Sequence, residues 1–121
     1  MTSSGSDREA LRVMRERYRA GSGAIVETFL ALALELARTP ESPVAIEAVR
    51  REAHRVHGTA GTYGFGEASD IASSLERRCT MWAVDAAADA GHRSAIVERA
   101  ARALTAAFAA PAEPGSRSAD L

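Results

Sequence analysis

The chain is expected to be all-α, an up-and-down antiparallel four-helix bundle with a short additional N-terminal helix. Two observations predict this. Apolar residues recur at three- and four-residue spacing through most of the chain, with glycine and proline punctuating the gaps. The composition is 46% hydrophobic but only 5% aromatic, because alanine supplies much of the apolar content. Alanine with abundant Arg, Glu and Leu favours helix over strand. A length of 121 residues is enough for one domain with a modest core.

The first helical segment is placed at about residues 7–19. Ser6 is a candidate N-cap, and Glu9 three positions later would complete a capping box. Leu11, Met14 and Tyr18 form its apolar stripe. Gly21 and Gly23 are expected to break the chain before the second segment, residues 24–37. There Ile25, Phe29, Leu32 and Leu36 make one face, widened by Val26, Leu30 and Leu34. Apolar character over that much circumference suits a central helix. Pro40 disfavours helical geometry in the residue before it, so the segment ends near Thr39.

Ser42-Pro43 is a strong helix start, since serine caps and proline fits the first helical position. The third segment covers residues 43–63 and ends before Gly64-Phe65-Gly66. The fourth, residues 67–87, repeats Ala68, Ile71, Ala72, Leu75, Cys79 and Trp82, and Gly91 closes it. The fifth, residues 92–109, aligns Ile96, Val97, Ala100, Leu104 and Phe108. Short connections favour antiparallel neighbours. Residues 1–110 are therefore read as one bundle. Residues 111–121, with Pro114, Gly115 and two serines and no periodicity, are read as a flexible tail.

Several function classes are disfavoured. A net charge of -1, from 15 basic and 16 acidic residues, lacks the basic footprint of nucleic-acid binding. The most apolar stretch, residues 29–36, is short and carries Glu35, so no membrane span is expected. The polar start, residues 1–7, has no signal-peptide core, which together with a single cysteine points to the cytoplasm. Met1 and the polar tail fit a free-standing protein. Cys79 falls on an apolar stripe and reads as a buried, inert thiol, and Trp82 and Phe108 as core. Arg77 and Arg78 read as a solvated face. No serine sits in a nucleophile elbow, and no nucleotide-binding phosphate loop is present.

The third segment carries the chemistry. At about 100° per residue, Ile46, Val49, Ala53, Val56, Ala60 and Tyr63 share a buried arc. His54 lies well outside it, with Gly58 and Gly61 beside it on the exposed side. His57 falls between the two arcs. An interior helix glycine costs about 1 kcal/mol relative to alanine, which this alanine-rich chain could readily use instead. Two glycines flanking an exposed histidine therefore suggest a docking face where another protein surface comes close, with Arg55 at its edge. Neutral imidazole is a nucleophile near pH 7 and can pass a phosphoryl group onward. His54 and His57 also form an H-x-x-H pair able to share a metal. Glu47 and Glu52 do not obviously complete a ligand set, and H-E-x-x-H is absent.

The stretch Ala53-His54-Arg55-Val56-His57-Gly58-Thr59-Ala60-Gly61-Thr62-Tyr63-Gly64 resembles the signature of histidine phosphotransfer (HPt) domains, typically Ala-His-x-Leu-Lys-Gly followed by small residues and a further glycine. Residues 67–76, ending Ser74-Leu75-Glu76, resemble the next helix of that family, and the resemblance covers about residues 25–77. It implies a four-helix bundle that carries phosphate between response-regulator receiver domains or a hybrid histidine kinase, without ATP-dependent activity of its own. It implies no cofactor, since magnesium would belong to the partner receiver. His54 matches the phosphorylated histidine, Gly58 the first glycine and Gly61 a small-residue position. Val56 replaces the usual leucine. His57 stands where lysine is usual. It is expected to support the phosphoryl charge in a pH-dependent way, with Arg50 and Arg51, one turn earlier, as further cations. Two alternatives stay open: a docking module that transfers nothing, and a metal-binding bundle using His54 and His57.

Overall fold

A computed structural model describes residues 3–110, with side chains from Gly5 onward. The expected tail lies outside the described residues. The described chain is all-helical: α1 (Ser3–Ala20), α2 (Ser22–Arg38), α3 (Pro43–Thr62), α4 (Gly66–Val84) and α5 (Arg93–Ala109). The most extensive packing is α3 on α4 and α2 on α5. Along α3 and α4, Gly61 meets Ser69 and His54 meets Glu76, so residue numbers rise on one helix as they fall on the other. The α2–α5 pair behaves alike. The Ser94 hydroxyl donates to the Ala33 carbonyl at 2.7 Å, and at the other end Arg19, in the last turn of α1 just before α2, reaches the Ala109 carbonyl.

The core follows the stripes. Ile25, Phe29, Ala33 and Leu36 enter it from α2, and Ile46, Val49, Ala53, Val56 and Ala60 from α3. Ala68, Ala72, Leu75, Cys79 and Trp82 enter from α4, and Val97, Ala101, Leu104 and Phe108 from α5. Burial pushes the Cys79 thiol up to about 12, the protonation state of an inert core residue.

Three local expectations are corrected. Helix α1 starts at Ser3, so Ser6 is inside the helix rather than its cap, and Glu9 pairs with Arg12 instead of closing a capping box. Gly21 interrupts the chain by a single residue. It keeps right-handed helical angles, and its N–H reaches the carbonyls of both Arg17 and Tyr18. The stretch Gly5–Arg38 is consequently long and apolar enough to cross a membrane by length and composition, which corrects the expectation that no segment is. Its α2 part supplies four core residues and exposes Glu27 and Glu35. Finally, α4 stops at Val84, short of the alanine run. The Asp85 carboxylate accepts the Ala87 N–H at 3.0 Å, a local competitor to helix. Asp89 and Gly91 then take positive φ values of 54° and 85°.

Both ends of the bundle are fastened. Ser42 caps α3 by accepting the Ala45 N–H at 3.1 Å, with Pro43 in the first turn. Gly64, at φ 88°, ends the helix, and the Phe65 N–H returns to the Ala60 carbonyl at 2.8 Å. That turn seats Phe65 in an aromatic cluster. Tyr18 lies 5.2 Å from Tyr63 and 5.8 Å from both Phe65 and Phe108. At the other end, Arg93 is 2% exposed and donates to the carbonyls of Pro40, Asp85, Ala86 and Ala88. Its guanidinium lies 5.4 Å over the Trp82 ring. One side chain thus joins the α2–α3 connection to the α4–α5 connection. Arg93→Ala strands four carbonyls and is expected to cost roughly 2–4 kcal/mol in urea unfolding. Arg93→Lys should recover only part of that, since an ammonium lacks the planar fork.

Candidate functional site

The site is the exposed strip where α3 lies against α4. The buried arc of α3 turns His54 outward, and its side chain is 70% exposed. Its Nδ1 lies 2.8 Å from Glu76 Oε2 on α4. Glu76 is only 21% exposed, sunk between the helices, and its carboxylate faces three groups of α3. Besides His54, these are His57, with Nδ1 3.8 Å from Oε1, and Arg50, with Nη1 3.8 Å from Oε2. Arg50 is itself held by Glu47 through hydrogen bonds of 2.8 and 2.7 Å, which keep the Glu47 carboxyl below its usual range.

This geometry has a chemical consequence. An ionised carboxylate only accepts hydrogen bonds, so the Nδ1 facing it carries the proton. In neutral imidazole the lone pair then sits on Nε2, directed away from Glu76. An exposed nucleophilic nitrogen backed by a half-buried carboxylate can accept and return an electrophilic group.

The helices are drawn together just beyond the histidines. The Ser69 hydroxyl donates to the His57 carbonyl at 2.8 Å, and a Cβ on residue 61 would lie 3.2 Å from that Ser69 oxygen. Gly61, assigned from the sequence to the docking face, therefore has a packing reason within the monomer. Gly58 has none, because a Cβ there meets nothing within 4 Å. Its bareness opens the surface beside His54. Arg55, also assigned to docking, is exposed and paired with Glu52. Of the two arginines proposed to support phosphate, Arg50 reaches the group around Glu76. Arg51 is exposed and lies outside it.

Glu76 is the residue of the candidate site that sequence reasoning did not single out. It stands on a different helix, and nothing in its own neighbourhood separates it from the chain's other glutamates. Its one signal was its place at the end of Ser74-Leu75-Glu76. Among the described residues, no group of three or more His, Cys, Asp and Glu is placed to hold a metal ion.

The Hpt domain model matches residues 13–110, and the chain belongs to that family. No curated protein and no solved structure matches it. Hpt domains are histidine phosphotransfer modules, carriers rather than enzymes, working with receiver and kinase domains of two-component systems.

The two glycines should separate experimentally. Gly58→Ala is expected to stabilise the fold by about 0.5–1 kcal/mol in urea unfolding, as alanine replaces glycine in open helix. Gly61→Ala should gain less or destabilise, because Ser69 must shift.

Proposed function

We propose that this protein carries a phosphoryl group on His54 between receiver domains, or between a hybrid histidine kinase and a receiver, as a stoichiometric carrier in the cytoplasm. The observation that carries this reading is the 2.8 Å contact between His54 Nδ1 and Glu76, which leaves Nε2 free on an exposed strip. In the forward step, the Nε2 lone pair attacks phosphorus of an aspartyl phosphate. The N–P bond forms, the O–P bond breaks and the aspartate carboxylate leaves. The Nδ1 proton stays, shared with Glu76, and the charge it places on the ring is offset by that carboxylate. The return step reverses these changes. Magnesium belongs to the partner receiver.

The pairings of α3 with α4 and of α2 with α5 support an up-and-down four-helix arrangement, with α1 leading into α2 as the additional helix. The open backbone at Gly58, with Arg55 and Gly61 on either side, forms the docking face. His57 and Arg50, grouped with His54 around Glu76, are the residues that would offset phosphoryl charge. The interface should be small and transient, since a carrier must release each partner.

Incubation with a phosphorylated receiver domain tests the site. Wild type should gain acid-labile, alkali-stable phosphate mapped by peptide analysis to His54, and His54→Gln should lose most of the total labelling. Labelling that survives the substitution at the wild-type rate removes His54 as the main acceptor, and no labelling of wild type leaves a docking module. Glu76→Ala should slow transfer about 10–100-fold, as when a carboxylate orienting a metal-bound imidazole is lost. Its pH profile should also shift, because His54 loses its fixed tautomer. A purely structural role for Glu76 would change the amount of folded protein and leave that profile alone.

His57 supplies a pH test. Free imidazole, with a pKa of about 6.5, is cationic only toward mildly acid pH, whereas lysine stays charged. The ratio of phosphohistidine lifetime in His57→Lys to that in wild type should rise from pH 6 to pH 8. A constant ratio would show that His57 bears no phosphate-supporting charge.

A further inference from the structure

We infer that His57 is a second phosphoryl acceptor, an alternative seat for the group on the same strip. This rests on the proposed function of His54, whose chemical setting His57 repeats one helical turn further on. Both imidazoles turn Nδ1 toward the Glu76 carboxylate, His54 to Oε2 at 2.8 Å and His57 to Oε1 at 3.8 Å. Both are open to solvent, His57 with 46% of its side chain exposed. Each is followed four residues later by a glycine, Gly58 for His54 and Gly61 for His57. Residues four apart share a helix face, but the two glycines differ: Gly58 faces open space, whereas Ser69 packs against Gly61.

The chemistry carries over. At 3.8 Å the Nδ1 of His57 is beyond hydrogen-bond distance of Glu76, whose charge alone favours the Nδ1–H tautomer; in that tautomer Nε2 carries the lone pair and can attack phosphorus. Protonated His57 has no lone pair to offer, so the charge-supporting and accepting roles divide by protonation state. The longer contact to Glu76 makes His57 the slower of the two acceptors. A second dianion one turn away is repelled by the first, so the chain carries one phosphoryl group at a time.

The third histidine, His92, is an internal control. It is exposed at the N-terminus of α5 and makes no ion pair with a carboxylate among the described residues. The probe is phosphoramidate, which needs no protein partner. Nε2 attacks its phosphorus, the N–P bond to the ring forms, and the bond to nitrogen breaks with ammonia leaving. The full chain is treated at mildly alkaline pH, and rates at the three histidines are read by peptide mass spectrometry. Wild type, His54→Ala and Glu76→Ala are compared, with circular dichroism confirming the helical fold.

In wild type the order should be His54, then His57, then His92. In His54→Ala, His57 should be labelled severalfold faster than His92, and no slower than in wild type, because Glu76 is released to it. In Glu76→Ala, His57 should fall toward His92. If His54 exceeds His92 while His57 does not in either chain, the inference is overturned and His54 stands. If neither exceeds His92, both readings fall. If His57 keeps its rate without Glu76, the carboxylate is not what makes it reactive, and the inference fails on its own ground.

Discussion

The structure depends on how closely α3 and α4 approach beyond the histidines. Ser69 can bond the His57 carbonyl because residue 61 has no side chain to hold the helices apart. Two turns further along α4, the same approach brings Glu76 against His54, and a wider gap would leave that carboxylate in solvent. The hydrogen bond is modest, worth on the order of 1 kcal/mol. Its importance is geometric, since a reactive imidazole needs its tautomer and its direction set by something that does not move.

The two ends of the bundle hold that spacing. At one end the Gly64 turn directs Phe65 back into the cluster with Tyr18, Tyr63 and Phe108, so the α3–α4 connection is anchored to α1 and α5. At the other, Arg93 gathers four carbonyls from two connections. A buried guanidinium is tolerable only when its donors are satisfied, and this one is satisfied almost entirely by backbone. Between these fastenings the helices meet through alanine and medium-sized side chains.

The site differs from an enzyme pocket in kind. His54 is mostly exposed, its nucleophilic nitrogen faces outward, and the glycine beside it leaves open space. Such a site works by being approached. Arg50, His57 and Glu76 lie around it, and in the proposed function they would balance charge and set direction while a partner brings the electrophile.

The sequence by itself determined the helices, the identity of the outward-facing histidine and the family. Helical periodicity, Ser42-Pro43 and the Gly64 break are local signals, and they placed α3 within a residue of its observed ends. The buried arc of α3 was legible because one wheel position predicts another on a rigid helix. Only the tertiary structure decided what faces what. Glu76 joins His54 across two helices, and Arg93 takes the carbonyls of Asp85, Ala86 and Ala88 in the connection where the alanine run was expected to continue α4. Gly61 proved to serve helix packing while Gly58 stayed open, although the two look alike on a wheel. Sequence patterns encode a residue's direction relative to its own helix axis. Distances between side chains on different helices are set by packing, which no single helix contains.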